Sequence, residues 1–103
     1  MTTELPIACS LTATDLRARL AEMRALGRDA LLDVRRDGPH ALLRFAAAPG
    51  VRERVAAIAA AEARCCSFLA LRVDVTPGAV TLEATAPAGA EAALVEIVEA
   101  FQG

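Results

Sequence analysis

The residues that could perform chemistry in this chain are concentrated in one stretch, Glu62-Ala63-Arg64-Cys65-Cys66-Ser67-Phe68. Around it, apolar residues recur at helical spacing over about 51–69, which predicts a helix. At about 100° per residue, Glu62, Cys65 and Cys66 fall on the apolar face of that helix. Helix side chains three and four positions apart are neighbours. The stretch therefore predicts a carboxylate beside two thiols on a face that should be buried.

Glu62 is the unusual member of this group, because a lone carboxylate is expensive to bury. It must be protonated, ion-paired, bound to a metal, or placed where the apolar stripe is uncovered. One alternative is an ion pair with an arginine such as Arg44 or Arg72. The spacing to the two cysteines is the main argument for a functional site.

The thiols favour capture of a soft metal ion, because such an ion displaces the thiol protons itself. Thiolates suit Cu(I), Zn(II) and, by the same softness, Hg(II). Cys9 becomes a third ligand if its strand lies beneath this helix. Glu62 would then serve as a fourth ligand or as a proton acceptor. The predicted metal site therefore consists of Cys9, Cys65, Cys66 and Glu62, and no organic cofactor is predicted.

Other uses of the cysteines remain open or are disfavoured. Both could be small apolar filler in the core, since cysteine is among the most buried residue types. A Cys65–Cys66 disulfide is disfavoured, because adjacent Cα atoms lie about 3.8 Å apart and a bridge needs about 4.4–6.8 Å. Redox catalysis is also disfavoured, because the helix dipole at a C-terminal end opposes formation of the reactive thiolate. A structural zinc site would need Glu62 or the single histidine, His40, as a ligand. A non-enzymatic role is favoured.

The elements that position these residues follow from periodicity and turn residues. A first strand is predicted over 5–11 and a first helix, ending at Gly27, on a stripe of apolar residues. A hairpin follows around Asp37-Gly38-Pro39, then the helix over about 51–69, then a hairpin around Pro77-Gly78. A third helix is predicted to begin at Thr85-Ala86-Pro87. The apolar positions are Leu16, Leu20, Met23 and Leu26 in the first helix, Leu32, Val34, Leu43, Phe45, Val73, Val75, Val80, Leu82 and Ala84 in the strands, and Ala90, Leu94, Ile97 and Phe101 in the third helix.

This order, βαββαββα, predicts an α+β fold over residues 1–103 as a single domain. The alternation of apolar and polar residues on the strands predicts an antiparallel sheet with one apolar face covered by helices. The helix–hairpin unit occurs twice. A ferredoxin-like core with an added strand and helix and two αββ units side by side both fit the order.

Composition excludes some partners and locations. The net charge is −2 and the chain has no Trp or Tyr, so neither a phosphate backbone nor stacked bases are favoured, and no nucleic-acid partner is expected. No apolar run reaches the roughly 18 residues of a spanning helix, because charged residues interrupt the most apolar segment, and no membrane-spanning helix is predicted. The first residues lack the features of a secretory signal, which predicts a cytoplasmic protein. Three cysteines, an odd number, favour free thiols over a disulfide framework.

Three segments resemble a small bacterial family of uncharacterised proteins that is sometimes associated with heavy-metal resistance. They are Pro-Ile-Ala-Cys-Ser-Leu-Thr, Glu-x-x-Cys-Cys-x-Phe-Leu and Val-Asp-Val-Thr-Pro-Gly-Ala-Val-Thr-Leu. The family motif is Glu-Arg-x-Cys-Cys-Pro-Phe, in which Ala63 and Ser67 replace the arginine and the proline. Neither change removes a candidate ligand. The resemblance implies metal handling at the same four site residues.

The leading hypothesis is a small cytoplasmic protein that binds a soft metal ion of the mercury or copper class through cysteine thiolates. The alternative is a non-catalytic interaction or small-ligand module, in which the cysteines are structural. That module is predicted to be a homodimer that uses the open face of the sheet, because large side chains are scarce and an alanine-rich surface can pack closely against a copy of itself.

Overall fold

The computed structural model of the protein describes residues 13–65 and 68–103. In these residues it contains three helices and one four-stranded antiparallel sheet. The elements are α1 (Ala13–Ala30), β1 (Leu31–Asp37), β2 (His40–Ala46), α2 (Val51–Cys65), β3 (Ala70–Thr76), β4 (Ala79–Thr85) and α3 (Glu91–Gln102). The predicted α+β class, with its two hairpins, is confirmed. The strand predicted over 5–11 lies outside the described residues.

The sheet joins the two hairpins through their second strands. The spatial order is β1-β2-β4-β3, and each neighbouring pair is antiparallel. Leu43 lies opposite Leu82 at the centre, and His40 and Ala46 lie opposite Thr85 and Ala79 at the ends. Each hairpin follows a helix, so the arrangement matches the alternative of two αββ units side by side. The second hairpin repeats the first, with strands of the same length and a turn of the same length.

The helices cover one face of the sheet and form the core with it. α2 packs against β3 and β4, α3 packs against β1 and β2, and α1 contacts both of the other helices. The rings of Phe45 on β2 and Phe101 on α3 meet edge to face, with centroids 5.4 Å apart and planes inclined at 68°. Such pairs contribute about 0.5–1.5 kcal/mol beyond the area that they bury. The residues predicted inward on α3, Leu94, Ile97 and Phe101, are buried as expected.

Gly27 does not end the first helix, contrary to the prediction. α1 continues to Ala30 and leads directly into β1. Gly27 instead faces the backbone of α3, where an added Cβ would lie 1.7 Å from the Phe101 carbonyl oxygen. The glycine therefore permits close contact between α1 and α3. Its value lies in the missing side chain and not in an unusual backbone angle.

Two further helix boundaries differ from the prediction. The described part of α2 ends at Cys65, and Leu69 lies in a bend before β3, although it is buried. α3 begins at Glu91 and not at Pro87, because Gly89 has φ +89°, which is incompatible with a continuous right-handed helix. The Gly89 N–H donates to Glu91 Oε1 at 3.1 Å.

Leu32 and Val75 were predicted on the apolar face, and the prediction for Leu32 was wrong. The pairing of β1 with β2 is irregular between Leu31 and Asp33, as in a β-bulge. Because such an irregularity changes which side chains face the core, Leu31 packs against the core and Leu32 is 51% exposed. Val75 lies opposite the buried Val80 and is therefore on the predicted face, but it is 57% exposed because it lies near the end of β3, an edge strand.

The open face of the sheet is polar. Arg44 donates from Nε and Nη2 to Asp33 Oδ2 at 2.9 and 2.7 Å, and Arg72 pairs with Asp74 at 2.9 Å and with Glu83 at 3.6 Å. The hydrogen bonds from Arg44 hold the pKa of Asp33 below its ordinary value, against a smaller opposing effect of desolvation. A sheet with one apolar and one charged face is typical of antiparallel structures with one solvated side.

Replacement of Gly27 by alanine should destabilise the protein. The new methyl group meets backbone, which cannot rotate away, so α1 and α3 must separate. Overpacking of this kind costs about 1–3 kcal/mol, and the better helix propensity of alanine offsets about 1 kcal/mol. Gly78→Ala is the matched control, because nothing lies within 4 Å of the added Cβ and its φ is not positive. Urea unfolding should show a lower free energy of unfolding for Gly27→Ala alone.

Removal of Arg44 should raise the pKa of Asp33. In Arg44→Gln the hydrogen bonds that favour the ionised carboxylate are lost, so the carboxyl pKa should move up toward its ordinary value of 3.8. In the wild type, the folded-state pKa is the lower one. The pair therefore stabilises the fold above about pH 3.8, and this stabilisation is lost as the pH falls toward the folded-state pKa. Carboxyl carbon NMR chemical shifts followed against pH measure both values, and an unchanged Asp33 pKa would contradict the assignment.

Candidate functional site

The predicted site residues are distributed between described and undescribed parts of the chain. Glu62 and Cys65 lie on α2, with Cys65 its last described residue and one helical turn beyond Glu62. Cys9 and Cys66 lie outside the described residues. The described part of the candidate site therefore consists of Glu62, the end of α2 and the elements that pack beside them.

Glu62 is buried, as its helical position predicts. It is 4% exposed, and it is the one buried charged residue in the described ranges. Its Oε2 accepts a hydrogen bond from Arg19 Nη1 of α1 at 2.8 Å. The exposed fractions of the Arg19 and Glu62 side chains are 12% and 5%. Of the four explanations open for Glu62, the structure shows an ion pair.

The partner of Glu62 is not one of the arginines suggested by the sequence. Arg44 pairs with Asp33, and Arg72 pairs with Asp74 and Glu83, all on the open face of the sheet. The helices lie on the other face, so neither arginine is on the side from which Glu62 could be reached. The suggested pairing with Arg44 or Arg72 was wrong.

Arg19 was missed, although the sequence contains a signal for it. It lies three residues after Leu16 and four before Met23, so it interrupts the apolar stripe of α1. Glu62 interrupts the stripe of α2 in the same way. One cation and one anion on the buried faces of two neighbouring helices are natural partners, because an unpaired buried charge is expensive.

One oxygen of Glu62 remains without a hydrogen bond. Oε1 is buried and has no hydrogen-bond partner among the residues that the structure describes. Oε2 is occupied by Arg19, so the carboxylate is only half satisfied within this part of the chain. A buried oxygen without a hydrogen bond typically lowers the free energy of unfolding by about 1–3 kcal/mol. A hydrogen-bond donor or a metal ion at Oε1 would offset this cost.

A second ion pair joins α1 and α2 at their other ends. Arg54 Nη1 of α2 lies 3.1 Å from Asp29 Oδ2 of α1. The chain advances along α1 from Arg19 to Asp29, while the partners on α2 run back from Glu62 to Arg54. The two helices are therefore antiparallel, and the N-terminal half of α1 lies beside the C-terminal end of α2.

Other possible ligands lie elsewhere. Within residues 13–65 and 68–103, no three His, Cys, Asp or Glu side chains are grouped so that they could hold a metal ion. His40 is the first residue of β2, and its Nδ1 lies 3.2 Å from Thr85 Oγ1. An open groove of about 360 Å³ also borders the start of β3, lined by Ala70, Leu71, Arg72, Glu83 and Thr85. Its charged residues are already paired with each other.

The comparisons with known proteins add no identification. No protein-family model, no curated protein and no solved structure matches this chain. No helix in the described ranges is long and apolar enough to cross a membrane.

Loss of Arg19 should destabilise the fold more than loss of the whole ion pair. Arg19→Met leaves the Glu62 carboxylate buried without its cation, which typically costs about 3–5 kcal/mol. The double variant Arg19→Met, Glu62→Leu removes both charges and should recover most of that loss, because apolar residues of similar volume often replace buried pairs without penalty. Urea unfolding of wild type, both single variants and the double variant measures the coupling. Equal stability of Arg19→Met and the double variant would contradict the buried pair.

Proposed function

We propose that the protein binds a soft metal ion through the thiolates of Cys65 and Cys66, with Cys9 assisting. The observation that supports this most is the position of Cys65, one helical turn beyond the half-satisfied carboxylate of Glu62. In the sequence, Cys65 and Cys66 follow the buried acid by three and four positions, so the proposal combines soft ligands with a hydrogen-bond acceptor. Thiolates select ions such as Hg(II), Cu(I) and Zn(II) over hard cations.

The ion pair changes the role proposed for Glu62. Because Arg19 already compensates the negative charge of Glu62, the buried carboxylate does not require a metal ion as its counter-charge. The thiolates therefore supply the principal ligands. Oε1, which has no hydrogen-bond partner among the residues that the structure describes, is proposed as a fourth ligand or as an acceptor for a thiol or metal-bound water. Mercury and copper of low coordination number need only the thiolates, whereas a tetrahedral structural zinc would also require Glu62 or His40 as a ligand.

The proposed site belongs in a reducing compartment. Thiolates must stay free of disulfides in order to capture a metal, and the cytoplasm keeps them reduced. We accordingly place the protein in the cytoplasm and assign it no catalytic reaction. Metal capture of this kind serves storage, delivery or detoxification of the ion.

A homodimeric interaction module with structural cysteines is the second candidate. The observation that favours it is the exposure of Leu32 and Val75, one on each edge strand of the sheet. The open face is less suitable for a copy of the chain, because it carries the ion pairs of Arg44 and Arg72. A dimer would then form at a strand edge. If the protein is such a module, thiol reagents should label none of the cysteines in the native protein. Sedimentation experiments should show a dimer.

Metal binding should depend on the cysteine pair. Reduced wild-type protein titrated with Hg(II) or Cu(I) should bind one ion tightly, as seen by native mass spectrometry. The Cys65→Ser, Cys66→Ser variant should lose this binding, because hydroxyl oxygen is a poor ligand for soft ions. Ala63→Ser is the matched control, since Ala63 is an exposed residue of the same helix end. Undiminished binding by the double serine variant would refute the proposed function.

A further inference from the structure

The strand β3 forms one edge of the sheet and lacks the features that usually protect an edge. Among the described residues it pairs with β4 on one side only, so the backbone N–H and C=O groups of its other side face outward. Proteins commonly protect such an edge with a proline, a β-bulge or an inward-pointing charge. β3 has no proline, and its pairing with β4 is regular over all seven residues. Its side chains on the core side, Leu71, Val73 and Val75, are apolar.

The other edge strand, β1, has two of these protective features. Its pairing with β2 is irregular between Leu31 and Asp33. Arg36 lies opposite the buried Ala41, so a charged residue occupies the core side of this strand. Both features oppose the addition of a further strand. Of the two edges, β3 is therefore the one suited to pairing with another chain.

The apolar layer along β3 is incompletely covered. Leu71 and Val73 pack against the core but are only partly buried. Phe68, two residues before the strand, is 42% exposed, and Val75 near its other end is 57% exposed. A strand added antiparallel to β3 would cover the outer side of this layer. An antiparallel copy of β3 would also bring the Phe68 end of one strand beside the Val75 end of the other.

The charges of β3 are complementary to those of a second copy. Arg72 and Asp74 flank Val73 on the open face of the sheet. If Val73 lies opposite its own copy in an antiparallel pair, Arg72 of each strand lies opposite Asp74 of the other. Leu71 then lies opposite Val75. A shift of one strand by two residues, the smallest that keeps the faces matched, instead sets Arg72 opposite Arg72 or Asp74 opposite Asp74. Because facing like charges are destabilising, one register is favoured.

The same charges disfavour a head-to-tail filament. When the seven residues of β3 lie antiparallel to the seven residues of β1 from another copy, Arg72 faces Arg35 and Asp74 faces Asp33. Both contacts join like charges. Association through β3 therefore closes on itself as a two-fold dimer and does not continue from copy to copy.

We infer that a second copy of the chain pairs antiparallel with β3, joining two four-stranded sheets into one sheet of eight strands with a two-fold axis at Val73. Within one chain Arg72 contacts Asp74, and both side chains are at least half exposed, so this pair can exchange partners with the copy. The open groove beside the start of β3 accommodates the end of the added strand, since Thr76 of the copy lies opposite Ala70. The inference goes beyond metal binding and does not rest on it.

Lysine substitutions at the two sheet edges test which edge is used. Sedimentation equilibrium of the reduced full chain over a range of concentrations should show a monomer–dimer equilibrium. Val75→Lys should weaken dimerisation at least about tenfold, because the two-fold axis introduces two charges into the apolar side of the interface. Leu32→Lys is the matched control, because Leu32 is similarly exposed but lies on β1. It should dimerise as the wild type does.

Exchange of the two charges tests the register. Arg72→Glu sets two acids opposite each other at both ends of the interface, and Asp74→Arg does the same with two bases. Each should weaken dimerisation about tenfold, because the symmetry changes two cross-strand pairs at once. The double variant Arg72→Glu, Asp74→Arg restores opposite charges and should dimerise nearly as the wild type does.

Hydrogen exchange supplies a second measurement. Backbone amides of β3 should exchange more slowly as the dimer forms, while those of β1 should not change. A protein that stays monomeric at all concentrations overturns the inference, and slow exchange of β3 amides in that monomer would show that the chain covers its own edge. A dimer that Leu32→Lys disrupts and Val75→Lys does not, or growth into larger polymers, also overturns it. Circular dichroism establishes folding, and the charge variants decide the outcome if Val75→Lys does not fold.

The dimer and the proposed metal site fail separately. The Cys65→Ser, Cys66→Ser variant should dimerise as the wild type does, and Val75→Lys should still bind Hg(II). Absence of metal binding in a protein that dimerises through β3 refutes the proposed function alone. Tight metal binding by a protein that shows no dimer refutes the β3 interface alone.

Discussion

The buried ion pair between Arg19 and Glu62 is the constraint on which the arrangement of α1 depends. Two charges removed from water tolerate little misalignment, because their attraction offsets desolvation only at hydrogen-bond distance. Here that distance is 2.8 Å, and both side chains are largely covered. Apolar residues of similar volume often replace such a pair with little loss of stability. What the pair supplies is a specific position of α1 against α2, since any slippage of one helix would leave a buried charge alone.

α1 is held by two kinds of interaction. Near its C-terminal end, Gly27 lies against the backbone of α3, and α3 in turn carries the Phe101 ring onto Phe45 of the sheet. This contact is close-packed and continuous with the core. Two ion pairs join α1 to α2, one buried at Arg19–Glu62 and one more exposed at Asp29–Arg54. The close-packed contact therefore sets how near α1 lies to α3, and the ion pairs set how α1 is aligned with α2.

Sequence patterns predicted the class of fold and the burial of Glu62, because both follow from periodicity. Alternation identified the strands, turn residues identified both hairpins, and helical spacing put Glu62 on an apolar face. The errors arose where a tertiary contact overrides a local signal. Glycine often ends a helix, but Gly27 instead allows close contact with the backbone of Phe101. The partner of Glu62 depends on which helix lies beside α2, and local sequence does not reveal this. Leu32 was misplaced because no local pattern reveals an irregular register.

The repetition of the αββ unit allows its two halves to be compared position by position. Glu62 lies the same number of residues before β3 as Met23 lies before β1, and by the same count Cys65 corresponds to Leu26. The first unit fills these two positions with core residues that are almost wholly buried. The second unit therefore has a charged residue where the first has a buried thioether, and at that position an ion pair with Arg19 replaces apolar packing.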